Sequence, residues 1–292
     1  HVDGLEERIK RLGRANIREQ AIMMMKAYRE QAEVLILECM AVEPVLQWHS
    51  EHHMIHADIN IITNLRHDHT KQMGNTLEEI AASIANTVQN KTIVVTGDRQ
   101  NASIIEQAVI KKGASFIFAQ AKANSYSLMQ ENENVAIKAA EILGISEEIA
   151  KEGIKNHVPD FGAFKTISIG DLSFINALSA NDPDSTIALY DEVKNQNLNQ
   201  QITLLVNNRW DRPERTKQNI ELIKHIKPHR VYIAGDNAHY VSRKIKTITE
   251  VKFYSKMEDL LNEKMVFAFG NIGQQGFKIL QACEQWRNNH GN

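Results

Sequence analysis

Cysteine is almost missing from this chain: Cys39 and Cys283 are the only two in 292 residues. They lie far apart and form no CxxC, which excludes a disulfide framework and a zinc knuckle and fits a reducing cytoplasm. Proline is nearly as scarce, at five, so no Pro-rich linker interrupts the sequence. No apolar stretch approaches the roughly 20 residues of a membrane span, and no segment reads as a signal peptide. Charge of one sign is lacking too. The 34 Lys and Arg against 36 Asp and Glu leave a formal net charge of −2. With no basic stripe interleaved with aromatics, nucleic acid is excluded as a main partner. Two catalytic signatures are also absent: no GxxxxGK[ST] phosphate loop and no nucleophile elbow occurs.

What is present is the profile of a folded α/β protein. Hydrophobic residues make up 42% and charged residues 24%, enough for two domains with separate cores. Short continuous apolar runs recur with helical segments between them: EVLILE (33–38), DINIIT (58–63), TIVVTG (92–97) and SFIFA (115–119). LEEIAASIANTV and ASIIEQAVIKKG, which separate the later runs, carry apolar residues at helical spacing. This alternation predicts parallel strands joined by right-handed crossovers, with 33–38 a strand buried on both faces. After a helical pair over 131–156, Pro159, Asp160 and Gly162 break the periodicity. The expected domains are therefore 1–157 and 158–292. The second repeats the rhythm with KTISIG, LSFINAL, QITLLVN, RVYIAG, EVKFYS and MVFAFG.

Ligands of open parallel sheets bind at the carboxyl ends of the strands. That rule nominates Glu38, the segment 64–69, Gly97-Asp98, 207–212, Gly235-Asp236 and Gly270-Asn271. Two readings of Glu38 stand. It is a carboxylate at a crevice, where it and His69 offer oxygen and nitrogen to one divalent ion, or a charge reaching solvent at a sheet edge. The run HSEHHMIH (49–56) spaces His49, His52 or His53, and His56 along one helical face. It falls on a crossover helix away from the strand ends, so a polar surface face outweighs a metal site there. NNRWDRPER (207–215) gathers Arg209, Asp211, Arg212 and Arg215, suited either to an acidic ligand or to a salt-bridged helix cap. FGNIGQQG (269–276) is a weak phosphate signal.

Five stretches together resemble one family. They are ECMAVEP (38–44), NLRHDHTKQMGNTLEEIA (64–81), ANDPDST (180–186), NNRWDRPERT (207–216) and GNIGQQG (270–276). In order and spacing they are similar to the ATP-dependent amide ligase subunit of bacterial poly-γ-glutamate synthase, in the Mur ligase superfamily. The resemblance runs from about residue 16 to the C-terminus. It implies a central parallel-sheet ATPase domain, its N-terminal part missing, followed by a Rossmann-like C-terminal α/β domain. It also implies a mechanism: a carboxylate attacks the γ-phosphate of ATP, and an amine converts the acyl phosphate to an amide.

On that resemblance Glu38 and His69 match the residues that hold the catalytic Mg2+. Asn134 resembles the asparagine that meets the adenine. Lys165 stands where many members have an arginine contacting nucleotide. Asn181 and Asp182 match a loop approaching ribose and phosphates, and Arg209, Asp211 and Arg212 match a motif engaging the acidic chain or the acyl phosphate. Lys71 replaces an acid often found in the family's metal motif. The resemblance further implies glutamate or a poly-γ-glutamate chain as substrate, small membrane subunits that export the polymer, and a cytoplasmic place at the inner face of the membrane. A homo-oligomer stays open. Rivals within the same chemistry are a folylpolyglutamate-like or cyanophycin-like ligase. The family's phosphate loop lies upstream of the matched region, and the sequence opens at His1 where an intact gene product has Met. The expectation is a fragment of a longer enzyme, against a non-catalytic scaffold subunit.

Overall fold

The computed structural model describes residues 16–120, 127–180 and 182–290, and Asn181 lies outside them. The chain divides into two compact units, His1–Glu152 and Gly153–Asn292.

The N-terminal unit runs α1 (Arg18–Arg29), α2 (Pro44–Ser50), β1 (Ile59–Ile62), α3 (Thr70–Met73), α4 (Leu77–Ile84), β2 (Ile93–Thr96), α5 (Ala102–Ile110), β3 (Ser115–Phe118) and α6 (Leu128–Ile142). It ends in α7 (Glu147–Asn156), within which the division falls. The strands form a three-stranded parallel sheet in the order β1-β2-β3. Successive residues of β2 face opposite ways. Val94 packs with Ile80, Ile105 and Val109 from α4 and α5, whereas Val95 packs with Val135 from α6. Helix α4 is begun by a reciprocal capping box between Thr76 and Glu79.

Two expectations fail in this unit. Residues 33–38 are irregular, with Val34, Leu35 and Ile36 exposed. A continuous apolar run gives a buried strand only if a neighbouring strand takes up its backbone hydrogen bonds. Here β1 pairs with β2 alone among the described strands. The histidine run also departs from one helical face. Helix α2 stops at Ser50, a π-turn spans Glu51–Ile55, and His56 leaves it in the left-handed region at φ 54°. The wider turn stacks His52 on Trp48, 4.8 Å between centroids, and His49 on His53 at 5.2 Å.

The C-terminal unit contains β4 (Lys165–Ile169), β5 (Leu172–Ala177), α8 (Pro183–Gln196), β6 (Thr203–Asn208), α9 (Pro213–Ile226), β7 (Arg230–Gly235), α10 (Ala238–Ile245), β8 (Glu250–Phe253), β9 (Met265–Gly270) and α11 (Gln275–His290). Its six-stranded sheet has the order β4-β5-β9-β6-β7-β8. All pairs are parallel except β4 with β5. That hairpin corrects the expectation of crossovers throughout: two residues, Gly170 and Asp171, separate the strands, and no parallel connection is that short. The central strands β6 and β9 are buried along their whole length. Leu205, Val266 and Ala268 face Ile279, Leu280 and Cys283 of α11. Phe267 points the other way, to Tyr190 of α8, at 5.5 Å.

The amino end of this sheet is closed by a polar network that makes a prediction of its own. Arg230 donates to Glu250 at 2.7 Å and to Glu263 at 2.5 Å, and Glu263 also accepts from Thr203 at 2.6 Å and Tyr232 at 3.2 Å. Burial pushes the Glu263 carboxyl up, but the bonds from Thr203 and Arg230 outweigh it and hold its pKa below the ordinary value of 4.5. A depressed carboxylate stabilises the fold fully above its unfolded value, and the contribution is lost as pH falls through the folded value. Glu263→Gln is therefore expected to cost about 2 kcal/mol at pH 7 and to flatten the decline in unfolding free energy below pH 4.5. Urea melts of both proteins from pH 7 to 3 check this.

Candidate functional site

In the N-terminal unit the strand ends expected to hold a metal are built around the loop that follows β1. Leu65 is a core residue and anchors the loop from inside. Beyond it, the Asp68 amide donates to the Arg66 carbonyl at 2.9 Å and the His69 amide to Asp68 Oδ1 at 2.8 Å. His69 sits in the left-handed region, φ 50° and ψ 36°, at the start of α3. That conformation costs a non-glycine residue about 1 kcal/mol, and such strain persists where surrounding bonds impose it. Its ring is half-exposed, with Nε2 3.5 Å from Asp68 Oδ2.

Glu38 lies on a separate irregular segment and its side chain is exposed. Its carbonyl is held from inside by the buried Gln20 amide at 3.0 Å, and Gln20 in turn accepts from the Ser50 hydroxyl. Among the described residues no three His, Cys, Asp or Glu side chains are arranged to hold a metal ion. The Glu38 carboxylate and the His69 imidazole are both open to solvent, and they are the oxygen and nitrogen groups that a divalent ion takes beside waters and phosphate oxygens.

Asn134 occupies the second turn of α6, half-buried. The helix is begun by the Ser127 side chain, which accepts from the Gln130 amide at 3.2 Å. It lies so close to the end of β2 that a Cβ on Gly97 would come within 2.7 Å of the Glu131 carbonyl. Glu131 itself accepts from the Arg99 amide at 3.1 Å.

The C-terminal unit offers a second crevice where β6 and β9 end side by side. Helix α9 leaves β6 and α11 leaves β9, so the two following loops diverge, the geometry of a topological switch point. Buried amides line it. Asn207 Nδ2 donates to the Asn271 carbonyl at 2.6 Å, and Asn219 Nδ2 donates to Asn208 Oδ1 at 3.1 Å. Asn207 Oδ1, Asn208 Nδ2 and Asn271 Nδ2 are buried without a hydrogen-bond partner among the described residues. Each such atom costs about 1–3 kcal/mol, so three together mark a place built for polar ligands or ordered water.

At its rim Arg209 is spoken for. Its guanidinium meets Asp211 through two bonds, 3.0 and 2.7 Å. The Trp210 amide donates to Asp236 at 3.0 Å, leaving the indole 70% exposed. Arg212, at the N-cap of α9, is exposed. Arg215, which the sequence grouped with these, is buried and donates to the Ala180 carbonyl, tying α9 to the segment before α8. Asp182 caps α8, accepting from the Ser185 amide at 2.7 Å. Lys165 pairs with Glu284 of α11 at 2.7 Å and lies 5.6 Å from the Phe161 ring centroid. Near these residues a pocket of 580 Å³ is lined by Asp160, Gly162, Ser179 and Ile272 among others.

Residues 164–286 match the family model described as "Poly-gamma-glutamate synthase CapB C-terminal domain". The matched residues make up most of the C-terminal unit. The likeness continues outside those residues. The chain is 29% identical over 284 residues to the capsule biosynthesis protein CapB of Bacillus anthracis, covering 88% of this chain and 61% of that protein. It is 26% identical over 299 residues to the PGA synthase CapB of Bacillus subtilis strain 168, covering 93% and 76%. The chain thus spans about three fifths of the first CapB relative. Its fold is that of folylpolyglutamate synthase from Thermotoga maritima, with a TM-score of 0.66 at 16% identity, over 94% of this chain and 70% of that one. The Mur ligase MurC of the same organism gives 0.52 at 15% identity, over 85% and 62%. A Yersinia pestis folylpolyglutamate synthase/dihydrofolate synthase, solved with AMPPNP and Mn, gives 0.56 at 14% identity, over 80% and 61%.

Proposed function

We propose that this chain carries the residues of an ATP- and divalent-metal-dependent amide ligase that forms γ-glutamyl bonds in poly-γ-glutamate synthesis. The observation that carries the reading is the C-terminal crevice. In the residues that match the CapB C-terminal domain model, buried amides with unused hydrogen-bonding capacity lie at the ends of β6 and β9, an exposed arginine follows in the segment after β6, and that chemistry suits an anionic amide chain. In this reading a glutamate carboxylate oxygen attacks the γ-phosphorus of ATP, giving an acyl phosphate and ADP. An incoming amine then attacks the acyl carbon, and inorganic phosphate leaves with the former carboxylate oxygen.

Glu38 and His69 hold the metal, which when bound offsets charge on the phosphates as the phosphoryl group transfers. The nucleotide is met by Asn134, Lys165, Asn181 and Asp182. Lys165 and Asp182 already hold Glu284 and the first turn of α8, so both shape their surroundings as well. Among the described arginines of 207–215, Arg212 is the exposed one proposed to meet the acidic substrate, since Asp211 neutralises Arg209 and Arg215 is buried. Membrane subunits that export the polymer, and a position at the inner face of the membrane, belong to the same reading. Among the described residues no helix is long and apolar enough to cross a membrane.

Trapping tests the reaction. The gene product as the cell makes it, given ATP, glutamate and hydroxylamine, is expected to accumulate γ-glutamyl hydroxamate. ATP-dependent turnover that yields no hydroxamate would contradict the acyl-phosphate route, and transfer of glutamate to a folate alone would favour the folylpolyglutamate-like rival. Arg212→Ala is expected to raise KM for the glutamyl acceptor about tenfold, the loss of one charge-assisted hydrogen bond, with an unchanged melting temperature. Steady-state kinetics beside a thermal melt check it.

A further inference from the structure

We propose that Asp98 is a positioning residue for His69, acting through the loop that connects them; the inference rests on the reading of His69 as a metal ligand. Asp98 follows β2 and is fully buried, a costly place for a carboxylate unless each oxygen is fully used. Both are. Oδ2 accepts from the Leu65 amide at 2.8 Å, Asn101 Nδ2 at 2.9 Å and Arg66 Nη1 at 3.4 Å. Oδ1 accepts from the amides of Gln100 and Asn101, each at 3.1 Å.

The same donors close on the loop from its other side. Asn101 Nδ2 and Arg66 Nη1 also reach the Leu65 carbonyl, at 3.0 and 3.2 Å. The N–H and the C=O of Leu65, in successive peptide units, are therefore both fixed by Asp98 or by groups that it organises. From there the order passes along bonds already described, from the Arg66 carbonyl to the Asp68 amide and from Asp68 Oδ1 to the His69 amide. An unfavourable backbone conformation at His69 is sustained by this chain of contacts, and the direction of its imidazole follows from it.

An asparagine cannot substitute. Both carboxylate oxygens accept from N–H groups, and an amide supplies one acceptor and a further pair of N–H donors. Whichever way the new side chain turns, its amide nitrogen would face donors, so Asp98→Asn releases one side of the clasp with almost no change in volume.

The test uses Asp98→Asn, with Asp98→Ala as a second variant, and reads two signals by NMR: hydrogen exchange at the Leu65 amide, and broadening of the His69 ring protons by Mn2+ alone. In Asp98→Asn the Leu65 amide is expected to lose at least tenfold in protection while Val94 and Val95 in β2 keep theirs, and half-broadening of His69 is expected to need at least fivefold more Mn2+. Unchanged Leu65 protection, an unchanged Mn2+ midpoint, or equal loss at Val94, Val95 and Leu65 would each overturn the proposal, the last by reducing Asp98 to a general stabiliser. If Mn2+ leaves His69 sharp in the unsubstituted protein, the metal-ligand reading fails by itself, and Leu65 exchange still decides whether Asp98 governs the loop.

Discussion

Glu38→Ala and His69→Ala are each expected to lower glutamate-dependent ADP release about 10³-fold, close to 4 kcal/mol of transition-state stabilisation. On the proposed metal assignment, removing either ligand leaves the ion one of its two proposed protein contacts, so the double variant should fall little below the worse single one, as for residues that act as a unit. The melting temperature should hardly move. Glu38 is anchored by its carbonyl and not its carboxylate, and the His69 ring is half-exposed. Substituting His49 or His53, stacked on each other on α2 and its π-turn, should leave turnover unchanged. Coupled ADP assays across Mg2+ concentrations check both statements. Wild-type turnover in Glu38→Ala and His69→Ala would remove the metal assignment.

The largest expected effect on stability comes from a residue with no side chain. Gly270 ends β9 at φ 113°, and a Cβ there would lie 2.3 Å from the Asn207 carbonyl oxygen. Neither obstacle can relax cheaply. The conformation disfavours any L side chain, and the clashing atom is backbone of the adjoining central strand β6. Gly270→Ala is expected to destabilise the C-terminal unit by at least about 3 kcal/mol, a large share of the 5–15 kcal/mol typical of a domain, lowering its melting temperature by about 10 °C. It should also part Asn207 from Asn271, whose amide donates to the Asn207 carbonyl at 3.1 Å. Differential scanning calorimetry reads the first effect. A melt within 2 °C of the unsubstituted protein would mean that β6 and β9 separate more easily than their burial implies.

How far the sequence reaches can be seen residue by residue. The runs at 93–96 and 265–270 read correctly because burial leaves a continuous β-branched or aromatic signature, and the run at 59–62 reads correctly from its isoleucines although Ile61 is exposed. The run at 33–38 has the same signature and a different fate, since an apolar run carries no record of whether a partner strand lies beside it. The β4-β5 hairpin was legible in its two-residue gap, which the strand-then-helix rhythm obscured. The π-turn in the histidine run follows from no simple period.

At the sites, the strand-end rule found Asp98 and 207–212 but not their roles. Asp98 is defined by donors 32 and 33 residues away in sequence, and Lys165 by a partner 119 away. Arg209, Arg212 and Arg215 look alike in a string of letters. Only folding separates one paired with Asp211, one exposed, and one buried against Ala180.

If an acyl phosphate links ATP cleavage to γ-glutamyl bond formation, an isotope shows it directly. Glutamate carrying 18O in its γ-carboxylate is incubated with ATP, Mg2+ and the gene product as the cell makes it, and the released inorganic phosphate is examined by mass spectrometry. One 18O is expected in each phosphate, in step with γ-glutamyl bonds formed, because the carboxylate oxygen that attacks phosphorus departs with it. Phosphate free of 18O while γ-glutamyl bonds accumulate would contradict it.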